Sequence, residues 1–305
     1  MRLRDLLLPL LAVVMTACGP SESPQPAPTT EPEASPERSE PERSGRPAQD
    51  IRSLLQEATM GEHRSEANQA RDRYRNPVST LAFFGLEPDH KVVEIWPGAG
   101  WYTEILAPVL RDQGQLVVAN FTTDPEAGGV ARMGQALVDK LEAEPDVYGR
   151  VEVVTFAPPN QMSLGEAGSA DLVLLSRHFH NLLARDIHGD VLAAAFEVLR
   201  SGGVLGVIQH RLPAERDFDP GQRTGYIPEA FVIEAAEGAG FELDGRSEIN
   251  ANPLDSADHE HGVWTLPPNF RACADIEDEA EQEQCRREYQ AIGESDRMTL
   301  KFVKP

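Results

Sequence analysis

Residues able to do chemistry fall into three groups along this chain. Glu94 stands in the run Lys91-Val92-Val93-Glu94-Ile95, which leads into Trp96-Pro97-Gly98-Ala99-Gly100 and then Trp101-Tyr102-Thr103-Glu104. Arg177, His178, His180 and Asn181 follow a second apolar run, Asp171 to Ser176, and His210 and Arg211 close a third that begins at Val204. Glycines at 98 and 100 let the backbone approach a ligand, and a helix starting beyond them offers free N–H groups. Histidines at the ends of neighbouring strands can take a proton from an attacking hydroxyl, thiol or amine. His178, His180 and His210 are therefore the catalytic candidates. Arg177, Asn181 and Tyr226, at a similar level before a later helix, are the candidate substrate contacts.

These residues must be positioned by alternating strands and helices. The run at 91–95 reads as a strand, and Tyr102, Ile105, Leu106, Val109 and Leu110 have helical spacing, so the unit is strand, tight loop, helix. Further strands are expected at Gln115–Asn120, Val151–Phe156, Asp171–Ser176, Val204–His210, Phe241–Ile249 and Arg297–Val303. Helices are expected around 131–144, 190–200 and 228–239, with Ser201-Gly202-Gly203 as a turn. Ahead of the first strand a helical pattern covers 50–75, and Asn76-Pro77 reads as the cap and first turn of another helix ending at Gly85. Tyr74 and Arg75 are possible ligand contacts there. This alternation predicts a three-layer α/β/α sandwich, with its ligand crevice at the carboxyl ends of the strands.

Glu94-x-x-x-Gly98-x-Gly100 resembles motif I of class I S-adenosylmethionine-dependent methyltransferases, with Trp96 in the place of the first glycine. The resemblance implies a Rossmann-like fold, a mostly parallel sheet with an antiparallel last strand, and S-adenosylmethionine as cofactor. Glu94, Gly98 and Gly100 match the cofactor loop, Tyr102 lies beside them, and Asn120 stands where related enzymes place a ribose-binding acid. Arg71-Asp72-Arg73-Tyr74-Arg75-Asn76-Pro77, the Trp96-Pro97-Gly98 variant, Gly262-Val263-Trp264-Thr265-Leu266-Pro267-Pro268 and Gly293-Glu294-Ser295-Asp296-Arg297 together resemble a family of exported bacterial predicted methyltransferases. A small-molecule methyl acceptor follows from that resemblance. The rival expectation is a non-catalytic envelope lipoprotein that keeps only the fold, because this cofactor is made in the cytoplasm.

The first residues read as a leader. Arg2 and Arg4 precede a short apolar core, Leu6 to Val14, and Met15-Thr16-Ala17-Cys18 resembles a lipoprotein cleavage site. The apolar run is too short to span a bilayer. Residues 1–17 are expected to be a signal peptide and Cys18 the lipidated residue of a periplasmic protein. Gly19 after that cysteine suggests the outer membrane. Residues 18–48, rich in Pro, Glu and Ser, are expected to be a disordered tether, leaving 49–305 as the methyltransferase-like domain. In an oxidising compartment Cys273 and Cys285 are expected to pair, for example between a helix and its lead-in. Net charge is −22, with 28 basic and 50 acidic residues, which disfavours nucleic acid as a partner. His178-x-His180 and His259-Glu260-His261 could ligate zinc, but spacing supplies no third ligand, so no metal is expected. His259 to His261 reads as an exposed loop. Oligomeric state is not legible.

Overall fold

The structure, a computed structural model, describes residues 50–305. The expected leader, Cys18 and the tether lie outside the described residues. Four helices come first: α1 (Ile51–Thr59), α2 (Glu66–Gln69), α3 (Asp72–Arg75) and α4 (Pro77–Phe83). The sheet region follows as β1 (Lys91–Ile95), α5 (Thr103–Leu110), β2 (Gln115–Asn120), α6 (Gly129–Ala143), α7 (Pro145–Tyr148), β3 (Glu152–Thr155) and β4 (Ala170–Ser176). It continues as α8 (Phe179–Leu183), α9 (His188–Val198), β5 (Leu199–Leu212), β6 (Ile227–Pro228), α10 (Glu229–Gly238) and β7 (Glu242–Ser247). The last two elements are α11 (Glu279–Ile292) and β8 (Arg297–Val303).

Strand order is β3-β2-β1-β4-β5-β8-β7, with the short β6 beside β5. β1 to β5 run parallel, while β8 runs antiparallel to both β5 and β7. The order reverses between β1 and β4, so the crevice opens beyond Ile95 and Ser176. This is the expected three-layer sandwich with its antiparallel last strand.

Pleating sorts the strand residues into two cores. Val93, Ile95, Val117, Ala119, Val173 and Leu175 pack beneath α9 and α10. Val92, Leu116, Val118, Leu172 and Leu174 pack beneath α1, α4, α5 and α6 on the other face. Each crossover helix needs only one apolar stripe, which is what the helical spacing supplies.

Three local expectations differ from the structure. The helical pattern over 50–75 is broken into α1, α2 and α3. Ser65 caps α2 by accepting from the Asn68 N–H, and the Arg64 guanidinium is clamped between Asp72, Glu104 and the Thr59 carbonyl. Asn76 adopts φ 40° and donates its side-chain amide to the Ile249 carbonyl rather than capping α4, although Pro77 does open that helix. Ser201-Gly202-Gly203 lies inside β5, where the register with β4 shifts between Ala170 and Leu172. A Cβ on Gly203 would stand 2.8 Å from the Arg200 carbonyl oxygen. The glycine pair therefore serves an irregular strand rather than a turn.

Cys273 and Cys285 form a disulfide between a short 3₁₀ turn and α11, with Cα atoms 5.8 Å apart. α11 buries none of its residues, and it is held by the cross-link, by the His259–Tyr289 ring contact and by hydrogen bonds from Asn252 to the Ile292 carbonyl and from Gln290 to the Tyr74 hydroxyl. A closed loop of this size restricts the unfolded chain by about 3 kcal/mol. Reduction should therefore release α11 before the sheet opens. Hydrogen exchange should show lost protection over residues 279–292 and unchanged protection over β4 and β5.

Candidate functional site

β1 ends in the middle of the sheet, and the chain must turn sharply there to start α5 on one face. It does so through three left-handed residues: Trp96 at φ 48°, Gly98 at φ 62° and Gly100 at φ 78°. A Cβ on Gly98 would meet nothing within 4 Å, so this part of the loop faces open space, whereas Gly100 is packed against Leu137 of α6. Beside the loop lies a cavity of about 90 Å³ whose wall includes Asn68, Arg71, Arg75, Glu94, Tyr102 and Arg177.

Trp96 decides what else can enter. Its ring is 2 % exposed and stacks on Phe121 at 5.0 Å with 23° between planes. The indole N–H donates to the Phe156 carbonyl at 2.9 Å, the His178 ring meets its edge, and the Arg185 guanidinium lies 5.4 Å over its face. Phe121 directly follows β2 and Phe156 directly follows β3. The indole thus lies across the carboxyl ends of β1, β2 and β3, in the part of the crevice where a doubly wound sheet takes a nucleoside.

Asn120, the position expected to meet a ribose, is 1 % exposed. Its amide donates to the Gly134 carbonyl of α6 at 2.9 Å, and its Oδ1 is buried without a partner. Gly134 permits this contact, since a Cβ there would lie 2.7 Å from the Thr122 carbonyl oxygen. An amide can donate to that carbonyl; a carboxylate cannot.

Glu94 is fully buried at the cavity wall and accepts from the Thr103 hydroxyl at 2.7 Å. Burial raises its carboxyl to about 7, against the opposing hydroxyl bond and the more distant Lys140. Tyr102 is raised to about 12, chiefly by burial. Behind Arg71 and Arg75 of the wall lies Glu294, on which these two and Arg297 converge at 2.6, 3.0 and 3.0 Å. Burial pushes the Glu294 carboxyl up, but Arg75, Arg297, Arg71 and Arg177 outweigh it and hold it at about 2.

The three histidines are neighbours but do not share one cavity. His178 lines the loop cavity, whereas His180 lines a second cavity of about 150 Å³ with Asn181, Tyr226 and Trp264. His210 is buried between Ser295, whose hydroxyl lies 2.5 Å from Nδ1, and the rings of His180 and Tyr226. Burial, then Arg177 and His180, lowers His178 to about 3. Burial, with Arg177 and against the Gln209 contact, lowers His180 to about 4. His210 is lowered too, again chiefly by burial. All three rings are neutral near pH 7. Asn181 and Gln209 turn amide nitrogens toward Nδ1 of His178 and His180. With the amides assigned this way, both rings carry their proton on Nε2 and act as donors. Tyr226 donates to Asp255, which also receives His259. His259 is therefore half-buried and held, not a free loop residue.

Of the residues singled out by sequence, Glu94, Gly98, Tyr102, Arg177 and His178 share one cavity, and His180, Asn181 and Tyr226 share the other. Gly100, Asn120 and His210 stand behind these walls. Arg71, Glu294, Phe121 and Phe156 were not anticipated as site residues. The Arg71-x-x-x-Arg75 spacing, which stacks two guanidinium groups on one side of a helical turn, was the available signal for the first two.

No protein-family model matches the sequence, and comparison with curated proteins finds no match. Solved structures do share the architecture. The cyclase SpnF aligns over 84 % of this chain and 93 % of its own, with 17 % identity and a TM-score of 0.50. A candidate sarcosine dimethylglycine methyltransferase from Galdieria sulphuraria aligns over 77 % of this chain and 86 % of its own, at 13 % identity and a TM-score of 0.50. A SAM-dependent methyltransferase from Aquifex aeolicus aligns over 65 % and 93 %, at 18 % identity and a TM-score of 0.47. The fold is the Rossmann-like one of class I methyltransferases. One of these neighbours is a cyclase, so the fold does not fix the reaction.

Two measurements check the site. Asn120→Asp should lower stability by about 1–3 kcal/mol, because it sets a carboxylate against the Gly134 carbonyl in a buried place; urea unfolding at pH 8 measures this. Glu94 has a raised folded pKa, so its protonated form is the stable one. Its contribution is complete below about 4.5 and is lost as pH rises through about 7. Glu94→Gln should therefore stabilise the protein at pH 8 by on the order of 2–4 kcal/mol relative to wild type, with the difference vanishing near pH 4.5. Thermal melts across that range read it.

Proposed function

We propose that this chain is an S-adenosylmethionine-dependent methyltransferase acting on a small-molecule acceptor. The observation that carries the reading is the left-handed Gly98 turn, opening from the central strand onto a cavity walled by Glu94 on one side and by Arg75 and Arg177 on the other. That wall matches the amino-acid end of the cofactor, with Glu94 for the ammonium and the arginines for the carboxylate. The cofactor, when bound, supplies an electrophilic methyl sulfonium. His180, Asn181 and Tyr226 line the cavity proposed for the acceptor, and the Nε2–H group of His180 would orient it.

The nucleoside end is not accommodated while the Trp96 indole rests on Phe121. Displacing it costs the stacking, about 0.5–1.5 kcal/mol, and a buried hydrogen bond, about 1–3 kcal/mol. Micromolar binding is worth about 8 kcal/mol. A cofactor can therefore displace the ring, with affinity reduced by roughly 10- to 2,000-fold. Trp96 is also the observation that favours a second reading, a non-catalytic binding module that retains the fold.

We further propose that residues 1–17 are removed, that Cys18 carries the lipid, and that the domain faces the periplasm from the outer membrane. The leader residues and the Cys273–Cys285 disulfide support this placement.

Calorimetric titration separates the two readings. Trp96→Gly suits a left-handed φ and empties the nucleoside place, although removing a buried aromatic costs about 3–5 kcal/mol of stability. If the chain is an enzyme, S-adenosylmethionine should bind the wild type measurably and folded Trp96→Gly at least tenfold more tightly. No heat with either protein at millimolar ligand leaves the binding module.

A further inference from the structure

The cavity beyond His180 is set apart from the rest of this acidic chain by what its wall omits. The protein has 50 acidic residues against 28 basic ones. Yet no carboxylate lines this space of about 150 Å³, whereas Arg185 and Arg223 do. Arg185 lies over the Trp96 ring, and neither arginine has a carboxylate partner among the described residues. The uncharged polar groups lean the same way. The Gln209 amide nitrogen donates to the Gly225 carbonyl at 2.8 Å, which fixes the orientation of that amide, and it also faces Nδ1 of His180 at 3.3 Å. The Nδ1 lone pair is thereby engaged, so His180 carries its proton on Nε2 and can only donate. The Tyr226 hydroxyl proton is committed to Asp255, at 2.9 and 3.0 Å. Among the lining side chains only the amides of Asn181 and Gln222 and the Tyr226 oxygen can accept a hydrogen bond. None of these takes up a proton near pH 7.

The apolar part of the wall comes from Leu183, Phe218, Ile227 and Trp264. It is held in place: Phe218 packs on Phe231 at 5.5 Å, and Arg216 of the same β5–β6 loop pairs with Asp258 at 2.9 Å. A cavity of this size takes one benzene-sized ring. A wider space of about 560 Å³ shares Gln222, Arg223 and Trp264 with it and gives the ring a way in. Guanidinium forks bind carboxylate oxygens through paired hydrogen bonds. We propose that the acceptor is an aromatic carboxylate, its ring among Phe218, Ile227 and Trp264, its charge answered by Arg185 and Arg223, and its nucleophilic oxygen facing the Nε2–H of His180. Its role as methyl acceptor rests on the methyltransferase reading; binding of the aromatic anion does not. Such an acceptor arrives already ionised. Methylating it forms a C–O bond and breaks the C–S bond of the methyl sulfonium, with the electron pair kept by sulfur. No proton leaves the acceptor, whereas a neutral hydroxyl would need a base that this wall lacks.

Thermal unfolding of the purified protein with sodium benzoate, benzamide or sodium acetate, each at ionic strength matched with sodium chloride, tests this. Benzoate should raise the midpoint as its concentration climbs through the millimolar range. Benzamide, which has the ring without the charge, and acetate, which has the charge without the ring, should each need at least tenfold more for the same rise. Arg223 is exposed and remote from the loop cavity's wall, so Arg223→Met should fold normally and weaken benzoate by about fivefold. Arg185→Met should weaken it by a similar factor. No rise with benzoate, an equal rise with benzamide or acetate, or an unchanged benzoate response in both folded variants overturns the proposal. S-adenosylmethionine that fails to bind while the benzoate response stays intact refutes only the methyltransferase reading. S-adenosylmethionine that binds while benzoate has no effect refutes only the aromatic carboxylate.

Discussion

The Trp96 indole, flat against Phe121 and hydrogen-bonded to the Phe156 carbonyl, is the contact on which the character of this site depends. A doubly wound sheet leaves a crevice where its strand order reverses, and its depth is set by the first residues beyond each strand. Here those residues are Trp96 after β1, Phe121 after β2 and Phe156 after β3. Each is aromatic, and together they form a ring cluster that extends the core upward into the crevice. What stays open is split into two smaller spaces. One is charged and lies beside the glycine loop; the other is aromatic and lies beyond His180. His178 sits at the division, its ring against the indole.

Charge in this protein is sharply partitioned. The chain carries a net −22, yet its candidate site is lined by arginines. Long-range attraction of an anion toward so acidic a molecule is weak, and salt screens it further. Discrimination must then come from short-range geometry within the cavity. That suits guanidinium forks held by Glu294, whose carboxyl stays ionised to about pH 2. The same partition explains the neutral histidines: buried rings next to Arg177 cannot also carry charge.

The framework was legible because its signals are local. The 91–104 stretch carries a strand, a turn and a helix in fourteen residues, and each following strand repeats the pattern. The site was only partly legible because its decisive partners are remote. Glu294 answers Arg75 across 219 positions, a distance no periodicity reports. Asn120 matched the place of a ribose ligand by position, but its amide is used by the Gly134 carbonyl, and that depends on how closely α6 approaches β2. Trp96 was recognisable as a bulky residue at a glycine position. Where its ring would rest depended on Phe156, read simply as a strand end, and on Phe121, just beyond one. Ser201-Gly202-Gly203 misled for a related reason, since glycines mark close backbone approach as readily as they mark turns.

The account turns on whether the indole holds the place a nucleoside would take. With three tryptophans in the chain, 5-fluorotryptophan labelling gives three fluorine resonances, and the one missing from a Trp96→Gly sample belongs to Trp96. Adding S-adenosylhomocysteine should move that resonance far more than the signals of Trp101 and Trp264. A Trp96 resonance that stays fixed while calorimetry reports the same ligand bound would contradict the account.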